Sequence, residues 1–306
     1  MSATVFVVTI GDWGMIGDVD GQNLIFLAGC PRSGTTYLQK MLAALPNTKT
    51  SQELHLWYLV NPLWNRWCNQ GKAITLDQRG GVGLALFVSQ EDFLAHFRNF
   101  LIQLLEEVIP DLQPGEMFIE KTPSNALFID LIHTVFPKAK VVYVLRDARD
   151  VVASLLAAST TWGKHWAPGN PKEAAKRWQQ YSVRARSGLQ DLPDNLHITI
   201  KYEEMIADPV ARLRGIAAFL AIDASDHQIM QAVQTNSLDS VHLSGGTVIH
   251  RGIVESEDFK EPEGFVRKVG DTRRWRDKLS FYQRFWVWRV ARKEMKEVGY
   301  EWKWPW

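Results

Sequence analysis

Residues 24–45 read LIFLAGCPRSGTTYLQKMLAAL. The apolar run Leu24–Ala28 stops at a turn of Gly, Pro and Ser, and apolar residues return at Leu38, Met41, Leu42 and Leu45, which is helical spacing. The pattern predicts strand, loop, helix. A loop that enters a helix N-terminus aims free backbone N–H groups at one point, where the positive end of the helix dipole also lies. Gly29 and Gly34 have the spacing of a nucleotide phosphate loop, but Thr35 and Thr36 stand where a Walker A motif has Lys and then Ser or Thr. The cation is instead Arg32, inside the loop. Such a loop suits an anion and is poorly equipped for Mg²⁺-ATP chemistry.

Outward from this stretch the same arrangement recurs. Met117–Ile119 leads into Glu120-Lys121-Thr122-Pro123 and a helix expected over 124–136; Val141–Leu145 leads into RDARDVVAS at 146–154 and a helix through Ala158. Both strands are continuous apolar runs, as when helices cover both sheet faces. The fold class that follows is α/β, a central mainly parallel sheet flanked by helices. Helices are also predicted over 91–109, 172–189, from Asp208-Pro209 (cap and first helical position) and over 280–298, with a strand at 196–202. Residues 57–83, with Trp57, Trp64 and Trp67, show no clear period and read as irregular wall structure. Residues 1–22 read as a strand or extension, and 244–270, rich in Gly, Ser, His and charge, as a lid or binding loop. No repeat or linker divides the 306 residues, so a single domain over 1–306 is expected.

Charges nearly cancel, 35 Lys+Arg against 34 Asp+Glu, which argues against a broad nucleic-acid or membrane surface. Cys30 and Cys68 are the only cysteines and form no disulfide or zinc pattern. The N-terminal segment lacks the basic start of a secretory signal, and no apolar stretch reaches the roughly 18 residues of a membrane span. A cytoplasmic location is expected.

PRSGTT after one strand, EKTP after a second, RDARDVVAS after a third and TIKYEEMIADPVARLRGIAAFL further on resemble, in that order, the PAPS-dependent sulfotransferases, PAPS being 3′-phosphoadenosine-5′-phosphosulfate. The likeness runs from Leu24 to Leu220, with a weaker match at 270–279. It implies a P-loop sulfotransferase architecture and metal-independent sulfuryl transfer from PAPS, releasing 3′,5′-ADP. Arg32, Ser33, Gly34, Thr35 and Thr36 then match the 5′-phosphosulfate site, Tyr37 an aromatic beside the adenine, Arg146 and Ser154 the 3′-phosphate pair, and Tyr202 the adenine pocket. At the C-terminal match the family's Arg-Lys-Gly run is altered, and Arg267, Lys268, Gly270, Arg273 and Arg274 are the candidates for completing the 3′-phosphate grip.

Where animal cytosolic members carry a Lys-Thr-His base, this chain has Lys121-Thr122-Pro123. The resemblance to the tyrosylprotein branch puts the base at Glu53, with His55 in reserve and Glu120 behind it, and gives Lys121 the task of steadying the sulfuryl group. Aromatic neighbours are expected to raise the Glu53 pKa. Trp57, Trp64, Trp67, Trp162 and Trp166 are candidates to wall an acceptor pocket, although core packing accounts for them equally. The acceptor expected is a hydroxyl or amine of a small molecule, glycolipid or natural product; dimers are common in the family. An ATP-using kinase and a non-catalytic nucleotide-binding module are the competing readings.

Overall fold

The structure is a computed structural model and describes residues 20–76, 83–237 and 272–301. The expected N-terminal strand, the lid over 244–270 and the candidates Arg267, Lys268 and Gly270 lie outside the described residues.

Five strands, β1 (Leu24–Gly29), β2 (Thr48–Thr50), β3 (Met117–Lys121), β4 (Lys140–Leu145) and β5 (His197–Lys201), form a sheet in the order β2-β3-β1-β4-β5. Every pairing is parallel. Helices α1 (Thr35–Leu42), α2 (Leu56–Leu76), α3 (Gln90–Val108), α4 (Ile129–Val135), α5 (Ala148–Ser159) and α6 (Pro171–Gln190) are followed by α7 (Tyr202–Ala207), α8 (Pro209–Leu220) and α9 (Asp226–Thr235). The one-turn α10 (Trp275–Lys278) and α11 (Phe281–Glu297) complete the described chain.

All six residues of β1 are buried because both of its faces are covered. Leu24, Phe26 and Ala28 face one core, with Trp57, Leu101, Val151 and Trp178 from α2, α3, α5 and α6. Ile25 and Leu27 face the other, with Leu38, Met41, Leu213 and Ile229 from α1, α8 and α9. The expected cap at Asp208 is present, accepting from the Ala211 N–H with Pro209 at the first helical position, and Asp147 caps α5 by accepting from the Arg149 N–H.

Two expectations are corrected. The segment read as irregular from Trp57 is α2, with Pro62 inside it. Pro62 breaks the apparent pattern, yet Trp57, Trp64 and Trp67 are spaced to share a helix face. Trp57 packs edge-on against Phe26 and Phe136, with centroids 5.6 and 6.2 Å away. Trp67 stacks on Phe93 at 3.9 Å and Trp64 lies 5.7 Å from Phe97. These three tryptophans are core rather than pocket wall. The single helix expected over 124–136 is split into a 3₁₀ turn, Pro123–Leu127, and α4, because Asn125 is buried and turned toward the sheet. Among the described residues no helix is long and apolar enough to cross a membrane.

Candidate active site

The strand order puts the C-terminal end of β1 between those of β3 and β4. This is the switch point at which open parallel sheets take ligands. All three motifs therefore meet there.

Arg32 (φ 76°) and Gly34 (φ 97°) adopt left-handed backbone in the β1–α1 loop, and the Ser33 N–H donates to the Cys30 carbonyl at 2.9 Å. Gly34 caps α1 without any side-chain bond, leaving the first-turn N–H groups without intrahelical acceptors. A Cβ on Gly34 would lie 2.3 Å from the Tyr202 ring, so only glycine fits. A left-handed arginine is costly and marks a loop whose shape its surroundings impose. The Ser33 hydroxyl is buried with no hydrogen-bond partner, as is Nε of Arg146. Orphaned donors in a buried setting are rare, and two of them beside an anion cradle fit the phosphate groups of a nucleotide.

On the β4 side, Arg146 donates from Nη1 to the Arg32 carbonyl at 3.0 Å, and its guanidinium lies 4.1 Å from the Tyr202 ring centroid. Trp178 Nε1 donates to the Arg146 carbonyl at 2.9 Å. Ser154 Oγ accepts from Arg32 Nε at 3.0 Å, and the Arg32 guanidinium rests 5.2 Å from the Trp162 ring centroid. The two predicted anion sites are thus in direct contact. The neighbouring Arg149 is gripped by the Asp147 carboxylate and lies over Trp275. Asp150 accepts from the backbone N–H groups of Arg273 and Trp275, at 3.0 and 3.1 Å, tying the Arg273-Arg274 backbone to α5. Burial pushes the Asp150 carboxyl up, against the opposing charge of Arg146. Burial likewise raises the Tyr202 hydroxyl and pushes Tyr37 up to about 12, so both stay neutral near neutral pH.

On the β3 side, Lys121 Nζ lies 2.5 Å from Glu53 Oε1 and 3.4 Å from Thr36 Oγ1. His55 Nε2 stands 3.5 Å from Glu53 Oε2, with the His55 side chain 59% exposed. Glu53 therefore sits between a cation and an imidazole, not among the aromatic neighbours expected of it. Its segment is fixed from two directions. Buried Gln39 of α1 donates to Thr50 Oγ1 and to the Ser51 carbonyl, both at 2.8 Å. Buried Glu120 accepts from the Leu54 N–H, the Thr122 hydroxyl and Asn125 Nδ2, and Thr122 in turn accepts from the His55 N–H at 3.3 Å. Burial holds the Glu120 carboxyl above the usual carboxylate range, with these donors opposing the shift. Both Glu120 oxygens are engaged inside the protein, which leaves this carboxyl a scaffold rather than a base. Gln39 and Asn125 were missed from sequence; the legible signal was a polar side chain on the apolar face of a predicted helix.

Among the described residues no group of three His, Cys, Asp or Glu side chains gathers in a metal-binding arrangement. The sulfotransferase family model matches residues 24–226. Protein-tyrosine sulfotransferase from Drosophila melanogaster is 24% identical over 221 residues, which are 72% of this chain and 42% of that protein. Protein-tyrosine sulfotransferase 1 of Danio rerio is 24% identical over 204 residues, 66% of this chain and 54% of its own. The chain spans about half the length of these curated relatives. Two solved structures share the fold: a mouse sulfotransferase complexed with PAP (TM-score 0.58, 18% identity, 95% of this chain and 93% of that one), and the sulfotransferase domain from the curacin biosynthetic pathway (TM-score 0.56, 18% identity, 95% and 99%). With its phosphate loop, its β3 and β4 motifs and the helices that carry them all inside the matched region, the chain belongs to the sulfotransferase family.

Proposed function

We propose that the chain transfers the sulfuryl group of PAPS to a hydroxyl acceptor and releases 3′,5′-ADP. The observation that carries this reading is the meeting at the end of β1 of an anion cradle, an Arg146–Ser154 pair on one side and a Lys121–Glu53 pair on the other. The loop N–H groups, Ser33 and Thr36 would hold the 5′-phosphosulfate, and Arg146 and Ser154 the 3′-phosphate, with Arg273 and Arg274 beside them on the segment tied to Asp150. PAPS supplies an activated sulfuryl group, so the protein's work is positioning and charge.

Glu53 accepts the acceptor's O–H proton as the new S–O bond forms and the bond to the 5′-phosphate oxygen breaks. Lys121, held between Glu53 and Thr36, places a cation where negative charge spreads over the sulfuryl oxygens. Arg32 is permanently charged and can stabilise the leaving oxygen without donating a proton. His55 is the second proton acceptor within reach of Glu53. The relatives named as protein-tyrosine sulfotransferases favour a phenolic hydroxyl, that of a tyrosine side chain or of a smaller phenol, where the sequence led us to expect a small molecule, glycolipid or natural product.

The test is a thermal-shift comparison of 3′,5′-ADP, 5′-AMP and ATP with Mg²⁺, followed by transfer of labelled sulfate from PAPS to tyrosine peptides and to small phenols. A ligand at 100 times its Kd adds about 2.7 kcal/mol. Stabilisation by 3′,5′-ADP well beyond 5′-AMP is expected; a preference for ATP with Mg²⁺ overturns the reading in favour of a kinase.

A further inference from the structure

Beyond Trp162 the turn from α5 to α6 opens into a cleft of about 510 Å³ whose wall includes Lys164, His165, Trp166, Lys176 and Arg177. Two ring contacts link Trp166, on the cleft wall, to the candidate active site. Arg32 rests on Trp162, and Trp162 lies 5.2 Å from Trp166, which is 38% exposed on the cleft wall. One acid, Glu173, lines it, and that carboxylate is paired with Lys176 at 3.0 Å. Lys164 and Arg177 have no carboxylate partner among the described residues. Arg177 is fixed in place by donating from Nη1 to the Trp166 carbonyl at 2.7 Å, which leaves its other N–H groups directed by a rigid anchor. Unbalanced positive charge beside an aromatic wall stands out in a chain whose net charge is only +1.

We propose that this cleft is an acceptor subsite that takes an anionic group, a carboxylate or a phosphate, carried by the molecule whose hydroxyl is sulfated. The inference rests on the sulfuryl-transfer reading and names the acceptor class for it. Trp166 offers a face for the acceptor's apolar body, and Arg177 and Lys164 bind its charge. Arg is suited to this because its planar fork meets carboxylate or phosphate oxygens in pairs. The size is that of a small-ligand pocket rather than of a single ion.

The experiment uses the full chain saturated with 3′,5′-ADP and measures binding of matched phenols by titration calorimetry. N-acetyltyrosine is compared with N-acetyltyrosinamide, and (4-hydroxybenzyl)phosphonate with its dimethyl ester. One charge-assisted contact at a half-exposed site predicts that an anionic probe binds about 10-fold tighter than its neutral twin. The larger of the two gaps tells whether carboxylate or phosphate is the preferred group. The gap closes in Arg177→Gln and in Lys164→Gln, shrinks with added salt, and leaves 3′,5′-ADP affinity unchanged. Equal binding within both pairs, binding of neither member, or an equal loss for charged and neutral probes in the variants overturns the subsite. Failure to bind 3′,5′-ADP in the first place instead overturns the sulfotransferase reading on which it rests.

Discussion

Lys121 Nζ and Glu53 Oε1 meet at 2.5 Å, joining the end of β3 to the segment that follows β2. The Lys121 side chain in this pair is 4% exposed and that of Glu53 is 32% exposed, so the carboxylate faces solvent where an acceptor would arrive and the ammonium backs it. Glu53→Gln keeps a hydrogen-bonding side chain beside Lys121 and removes the proposed proton acceptor. Binding of 3′,5′-ADP is expected to be unchanged while single-turnover transfer falls by about 10²- to 10⁴-fold, the usual worth of a general base. A near-normal rate moves the role to His55.

Arg146 touches both the phosphate loop and Tyr202. Arg146→Ala is expected to erase the preference for 3′,5′-ADP over 5′-AMP. Loss of a charge-assisted bond of about 1.5–3 kcal/mol weakens the former roughly 10- to 150-fold and leaves the latter little changed. Parallel titrations of the two nucleotides check this; equal losses would show that Arg146 serves the loop's shape instead.

Gly34→Ala places a methyl group against the Tyr202 ring in a left-handed conformation that costs an L-residue about 1–2 kcal/mol before any clash. A lower melting temperature and at least a 10-fold loss of 3′,5′-ADP affinity are expected, since the displaced ring lies under Arg146. Calorimetry with and without the nucleotide separates the two effects; an unchanged profile would mean that the loop and Tyr202 move apart freely.

Burial raises the Glu120 pKa above its unfolded value. The folded chain therefore keeps this proton at pH values where the unfolded chain has lost it, and stability contributed by the protonated group is complete below the ordinary carboxylate pKa. That contribution declines as pH rises toward the folded pKa. Glu120→Gln removes this dependence while retaining an acceptor for Thr122 and the Leu54 N–H. The melting-temperature difference, variant minus wild type, is expected to grow as pH rises above the ordinary carboxylate pKa. A constant difference would count against titration of Glu120.

The architecture was readable where one kind of residue repeated. Leu24–Ala28 and Val141–Leu145 are apolar without interruption, and Asp208-Pro209 announces a helix start. The site was readable as separate motifs at strand ends. What stayed hidden depends on strand order and on partners distant in sequence. β2 is three residues, Thr-Lys-Thr, and becomes a strand because β3 offers it a ladder. α2 was masked by Pro62. The contact of Arg32 with Ser154 spans 122 residues and exists only because β1 and β4 are neighbours. Gln39 stands out locally only as a polar residue on an apolar helix face; its partners, Thr50 and Ser51, lie beyond the end of that helix and show only in the fold.

The sheet order divides labour between strands. On the proposed reading the nucleotide's 3′ side would belong to β4 and α5 and the proton acceptor and its cation to the ends of β2 and β3, with β1 common to both. On that reading the β2–α2 and α5–α6 connections are free to change, and with them the choice of acceptor, while the donor grip stays as it is.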